Sequence, residues 1–291
     1  MEQFKGTGVA LVTPMKGDGS IDESGLEKLL EFTAEGVDYW VVLGTTGEYP
    51  TLDESEKAKI LAFVKAHNPK NLPIVYGLGG NNTATVINQI SATDWTGVDA
   101  MLSASPYYNK PSQAGIIAHY EKIADAAPVP VILYNVPGRT ASNLTAETTL
   151  RLAEHPNIIG IKEASGDIKQ CAAIAAHKPE DFLLTSGEDL LTPDLLALGG
   201  HGAISVLANG FPKSFSEAVK LGLREKNEEC RQAMKAFHEI NTYLYEESNP
   251  VGIKEVLQQK NVCGNFVRLP LLTATENLQS EITRCLKVLN D

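Results

Sequence analysis

Residues 130–165 read PVILYNVPGRTASNLTAETTLRLAEHPNIIGIKEAS. The segment opens on one apolar run, PVILYNVP (130–137), and closes on another, IIGIKEAS (158–165). Between them, Thr145 precedes Thr148 with Glu147 in the first turn, a helix start. Two short buried strands joined by a helix must run parallel, because only a long crossover returns the chain to the same end of a sheet. The segment is therefore one strand–helix–strand unit.

The same unit recurs along the chain. Further apolar runs are GVALVTP (8–14), YWVVLGT (39–45), PIVYGLGG (73–80), AMLSASP (100–106), FLLTSGED (182–189) and GAISVLANG (202–210), which makes eight in all. Segments such as ESGLEKLLEFTAEG and ESEKAKILAFVKAHN lie between them and space apolar residues at helical intervals. Asp53 before Glu56 resembles a capping box, and Gly36 and Gly97 read as helix stops. Eight units predict an α/β protein, a closed (β/α)8 TIM barrel over residues 1–224. An open doubly wound sheet is the alternative. Beyond about residue 225 the strand signals stop, so 225–291 is expected to form a C-terminal helical extension of about three helices.

The totals bound the function. The 291 residues include 25 Lys plus Arg against 36 Asp plus Glu, for a formal charge of −11. The basic residues do not cluster, which argues against nucleic acid as a partner. No apolar run is long enough to cross a membrane, and the N-terminus lacks the pattern of a signal peptide. Cys171, Cys230, Cys263 and Cys285 are widely spaced, as expected for free thiols in a reducing, cytoplasmic setting. The six histidines form no metal-binding spacing, so no metal and no cofactor are expected. GLGGNN (77–82) fails the dinucleotide pattern at Asn82, and no nucleophile elbow is present.

In a barrel, chemistry belongs at the C-terminal strand ends. These ends are polar here: Thr45-Thr46-Gly47-Glu48, Pro106-Tyr107-Tyr108-Asn109, Tyr134-Asn135 with Arg139 beyond, Lys162-Glu163, and Ser186-Gly187-Glu188-Asp189. Lysine is seldom fully buried. Strand alternation places Ile158, Gly160 and Lys162 on one face, with Gly160 leaving room for the lysine stem. Desolvation favours the neutral amine, a nucleophile toward carbonyl carbon. A snorkelling lysine, or one paired with Glu163 or an acid of the seventh strand, is the structural alternative. Tyr134 ends the adjacent strand, where it can shuttle a proton to a forming imine or serve simply as a core tyrosine. The glycine-flanked turn GTTGE suits a carboxylate, and Arg139 offers a planar fork for a second one.

In their order and spacing, GTTGE, SPYYNKPSQAG, LYNVPGRT, IIGIKEAS, LLTSGED and GGHGAISV resemble the dihydrodipicolinate synthase family of pyruvate-dependent class I aldolases and lyases. The resemblance runs from about residue 6 into the C-terminal helices. It implies that Lys162 forms an imine with pyruvate. Thr45, Tyr108 and Tyr134 then form a proton relay, with Tyr108 reaching into the neighbouring subunit's site. Thr45 and Thr46 hold the pyruvate carboxylate, and the Ile204 carbonyl lies by the lysine amine. Arg139 binds the carboxylate of L-aspartate 4-semialdehyde, and Gly187 lines the way in. It further implies a homotetramer, built as a dimer of dimers, in diaminopimelate and lysine biosynthesis.

One position departs from the lysine-inhibited members, which bind lysine near Tyr107 and Asn81. Thr85 stands where they carry an acid, and Lys57 where a histidine is frequent, so feedback inhibition is expected to be weak or absent. A related pyruvate aldolase, of the N-acetylneuraminate lyase or 2-keto-3-deoxygluconate aldolase type, would share Lys162 and Tyr134 but not this use of Arg139. A non-catalytic barrel acting as a binding protein would not need the whole set.

Overall fold

A computed structural model describes residues 1–289. Eight parallel strands close into a barrel in sequence order. They are β1 (Gly6–Ala10), β2 (Tyr39–Val42), β3 (Ile74–Gly77), β4 (Ala100–Ala104), β5 (Val131–Asn135), β6 (Ile158–Glu163), β7 (Leu183–Ser186) and β8 (Gly202–Ser205). Each falls within or overlaps one of the eight apolar runs. Most are shorter than their run because the polar C-terminal residues of the run leave the sheet.

The helices follow in turn: α1 (Glu23–Ala34), α2 (Glu54–Ala66), α3 (Thr83–Ala92), α4 (Gln113–Ala126), α5 (Pro137–Thr140), α6 (Ala146–Leu152), α7 (Ile168–His177), α8 (Thr192–Ala197) and α9 (Pro212–Leu223). The start signals act as read. The Asp53 carboxylate accepts from the Glu56 amide while the Glu56 side chain accepts from the Asp53 amide, a complete capping box. Thr145 caps α6 through the Thr148 amide.

Closure brings β1 and β8 into register, with Gly6 opposite Gly202. Gly202 has φ +142°, and a Cβ there would lie 1.8 Å from the Gly6 carbonyl oxygen. Only glycine allows the two strands to meet this closely. Apolar side chains then segregate into two clusters. One fills the barrel, including Tyr39, Val41, Val75, Leu102, Tyr134, Leu183 and Ile204. The larger runs between sheet and helices, including Val9, Trp40, Leu133, Ile158 and Ile161.

The alternation expected for β6 does not hold throughout. Ile158 pairs with Val131 but Gly160 pairs with Ile132, so the register shifts at Ile159. This bulge turns Ile158 outward into the helix-facing cluster, while Ile159 packs on the inner one. Gly160 does not make room for Lys162 either. A Cβ on it would meet Leu183 of β7, at 2.5 Å from Cβ and 2.7 Å from the carbonyl oxygen.

After residue 224 the described chain is helical, in four α-helices rather than about three: α10 (Asn227–Met234), α11 (His238–Glu246), α12 (Val251–Gln259) and α13 (Glu276–Leu289). Their apolar faces join the outer cluster, with Leu244, Ile253, Val256, Leu278 and Ile282 fully buried. The extension therefore shares its core with the barrel.

Candidate active site

The β5–β6 register sets Tyr134 beside Lys162 and Asn135 beside Glu163. Because side chains alternate along a strand, the first pair faces the barrel interior and the second faces the helices. Lys162 is 6% exposed, and its Nζ lies 4.5 Å from the centroid of the Tyr134 ring. It forms no ion pair among the described residues. The alternative pairing with Glu163 is not formed, because Glu163 points to the other side of the sheet.

There Glu163 is buried and engaged by neutral donors. It accepts from Asn135 Nδ2 at 3.1 and 3.0 Å, Gln170 Nε2 at 2.9 Å and the Ser165 amide at 2.7 Å. Asn135 also donates to Asn143 Oδ1 at 2.7 Å and accepts from the Leu144 amide at 2.9 Å. Asn143 and Leu144 belong to the segment that carries Arg139. One network thus ties the register of the Tyr134–Lys162 pair to the placement of the Arg139 segment.

The glycine that accommodates Lys162 is Gly187, just past β7. A Cβ there would lie 3.0 Å from Lys162 Cε, 3.1 Å from its Cγ and 2.6 Å from Ala164 Cβ. Glu188 and Asp189 follow. Burial pushes both carboxyls up, and the positive charge of Lys162 opposes the rise in each. Asp189 Oδ2 accepts from the Val206 and Leu207 amides at 3.1 and 2.8 Å, which fixes the end of β8 beyond Ile204. Ile204 itself is 1% exposed and faces the interior.

A cavity of about 230 Å³ opens beside Tyr134, with Thr45, Leu102, Tyr107, Arg139 and Thr140 also among its walls. Arg139 is exposed in the short helix α5 and forms no side-chain hydrogen bond or ion pair among the described residues, so its guanidinium is available. Thr45 and Thr46 lie in a 3-10 turn after β2. Thr46 is buried, and its hydroxyl accepts from Asn249 Nδ2 at 3.0 Å. Tyr108 is not brought into the site of its own chain. It is 86% exposed, with φ +73°.

Two contacts that hold the Thr45–Thr46 turn escaped the sequence reading, Asn249 on Thr46 and a buried ion pair under the same turn. Lys254 Nζ lies 2.5 Å from Glu48 Oε1, and both side chains are almost wholly buried. Lys254 also donates to the Phe266 carbonyl at 2.7 Å, and Glu48 Oε2 accepts from the Arg268 amide at 2.9 Å. Burial pulls the Lys254 ammonium down while Glu48 opposes that shift. The only sequence signal was a lysine within an apolar helical stretch, and nothing there named a partner 206 positions away. Among the described residues no cluster of three or more His, Cys, Asp or Glu is placed to hold a metal.

A buried unpaired lysine over a tyrosine ring, beside a hydroxyl-bearing turn and a free arginine, is an arrangement for binding a keto acid and activating its carbonyl. The chain resembles known proteins over nearly its whole length. The model of the dihydrodipicolinate synthetase family matches residues 3–289. The 4-hydroxy-tetrahydrodipicolinate synthase of Cytophaga hutchinsonii is 48% identical over 283 residues, covering 97% of this chain and 95% of that protein. The chloride-inhibited dihydrodipicolinate synthase of Acinetobacter baumannii, solved with pyruvate, superposes with a TM-score of 0.95 at 38% identity, covering 98% and 99% of the two chains. The Aquifex aeolicus dihydrodipicolinate synthase gives 0.94 at 32% identity, covering 99% and 98%.

Proposed function

Because this chain belongs to the dihydrodipicolinate synthetase family and is a lyase with 4-hydroxy-tetrahydrodipicolinate synthase activity, we propose that Lys162 is its Schiff-base residue. The observation that carries the assignment is the buried Lys162 amine, which forms no ion pair among the described residues and lies over the Tyr134 ring.

The substrates are pyruvate and L-aspartate 4-semialdehyde. The Lys162 amine adds to the C2 carbonyl of pyruvate, and water leaves as the imine forms. Tyr134 carries the protons of that exchange, relayed through Thr45. Thr45 and Thr46 hold the pyruvate carboxylate. Loss of a C3 proton gives the enamine, whose carbon attacks the aldehyde. The Arg139 fork holds the carboxylate of the second substrate. That substrate's amine then displaces Lys162 from C2, closing the ring and regenerating the free lysine. Gly187 keeps the wall beside the lysine open, and the Ile204 carbonyl lies by the amine.

Tyr108 completes the relay from a second subunit, within a homotetramer built as a dimer of dimers. Its exposure and left-handed backbone in the single chain support this reading. Residues 1–224 are the catalytic barrel and 225–289 an accessory helical segment, the last two residues of the expected extension lying outside the described ones. Four free cysteines suit the cytoplasm. Among the described residues no helix is long and apolar enough to cross a membrane.

Arg139→Ala tests the second carboxylate. Its KM for the semialdehyde should rise far more than its KM for pyruvate, and equal effects on both would reject the assignment. Mixed subunits test Tyr108. Assemblies that combine Tyr108→Ala and Lys162→Ala chains should recover activity that neither parent has, because some sites then receive both residues intact.

A further inference from the structure

We propose that Asn249, in the C-terminal extension, is a positioning residue that turns the Thr46 hydroxyl proton toward the substrate carboxylate. The inference rests on the assignment of the pyruvate carboxylate to the Thr45–Thr46 turn.

A threonine hydroxyl has one proton and two lone pairs, and its rotor is free unless a neighbour fixes it. Here Asn249 Nδ2 donates to Thr46 Oγ1 at 3.0 Å. The proton cannot point at that N–H, so it is directed away from Asn249. Accepting one hydrogen bond also strengthens a hydroxyl as a donor to an anion. Thr46 is 2% exposed and Asn249 is 7% exposed, so bulk water does not compete for this contact.

The opposite end of the amide sharpens the argument. Asn249 Oδ1 is buried and has no hydrogen-bond partner. A buried orphan acceptor costs stability. A side chain retained at that cost is accounted for by what its nitrogen does to Thr46.

The turn is clamped at three consecutive residues from two parts of the chain. Thr46 is held by Asn249, and the Gly47 carbonyl accepts from Thr13 Oγ1 at 2.7 Å. Glu48, at φ +56°, is held by Lys254 at 2.5 Å. Asn249 and Lys254 flank the start of α12, so one element of the extension sets both the backbone of the turn and the direction of its hydroxyl. The extension thereby reaches the substrate through Thr46, without Asn249 touching the reacting atoms.

The test is a double-mutant cycle of Asn249→Ala and Thr46→Val. The readouts are the pyruvate concentration that half-saturates borohydride trapping, the steady-state KM for each substrate, and the melting temperature. Asn249→Ala should raise half-saturation by about tenfold, the scale of a hydrogen bond to a charged group. The KM for the semialdehyde should barely move. The double variant should be no worse than Thr46→Val alone. A lower melting temperature with unchanged pyruvate half-saturation, or fully additive effects, would overturn the positioning role. Thr46→Val with wild-type saturation would instead overturn the carboxylate assignment beneath it. Asn249→Asp is nearly isosteric but can only accept, so it draws the Thr46 proton toward itself. It should bind pyruvate at least as weakly as Asn249→Ala, and wild-type saturation in Asn249→Asp would refute the proton direction.

Discussion

Replacing Gly187 by alanine adds one methyl group beside the lysine stem. The new Cβ would lie 2.6 Å from Ala164 Cβ, 3.0 Å from Lys162 Cε and 3.1 Å from Lys162 Cγ. Non-bonded carbons sit about 3.5–4.0 Å apart, so something must yield by roughly 1 Å. Ala164 has no flexible end to move, whereas Lys162 has one. The lysine stem should therefore swing away from its place over Tyr134. Overpacking of this kind costs about 1–3 kcal/mol of stability. Misplacing a reacting atom by about 1 Å costs on the order of 100-fold in rate. Gly187→Ala should thus remain folded, melt a few degrees lower, and turn over about 100-fold more slowly. Gly160→Ala is the contrasting control, because its clash is with the Leu183 carbonyl and Cβ rather than with the lysine. It should lose stability ahead of rate per folded molecule. Both are measured by steady-state kinetics and thermal unfolding at matched concentration. A Gly187→Ala enzyme with wild-type kcat would refute the claim that this glycine makes the lysine's space.

Other perturbations probe separate links. Lys254→Met leaves Glu48 buried without its cation, so unfolding should be easier by about 3–5 kcal/mol, read by thermal or denaturant melting. Glu163→Gln sets an N–H against Asn135 and Gln170, which already donate there. It should cost about 1–3 kcal/mol and raise the KM for the semialdehyde more than that for pyruvate, as the Arg139 segment loosens. His119 is buried and held down to about 4 by desolvation. The unfolded chain therefore binds this proton at higher pH than the folded one, and stability is lost as pH falls from about 6.5 to 4. His119→Gln should flatten the melting temperature over that window. Lys57 Nζ lies 2.9 Å from Glu54 Oε1 and 3.9 Å from the Tyr49 ring centroid. With this cation in place and Thr85 uncharged, half-inhibition by lysine should not occur well below millimolar.

The barrel was legible because its strands are buried on both faces and separated by helices with local start signals. All eight runs carry a strand, and the capping residues Asp53 and Thr145 act within four residues of where they stand. The polar strand ends marked Thr45, Tyr134, Arg139 and Lys162 because a barrel gathers such ends on one rim. Simple alternation misread β6 at Ile158, where the bulge at Ile159 broke the phase, and the role read for Gly160 falls to Gly187 because a Cβ on Gly160 would meet Leu183 of β7 rather than the lysine. Asn249 and Lys254 stayed hidden for a different reason. Their partners are 203 and 206 positions away, and only the packing of the extension against the barrel brings them together. Tyr108 is exposed in the single chain, and the role proposed for it turns on a second subunit.

The central claim is that Lys162 forms a covalent imine with pyruvate. Incubating the enzyme with pyruvate and borohydride, then digesting it for peptide mass analysis, tests this directly. The reduced adduct should appear on the peptide carrying Lys162, with loss of activity in proportion, and should be absent without pyruvate. An unmodified Lys162, or an adduct formed on another lysine, would contradict the account.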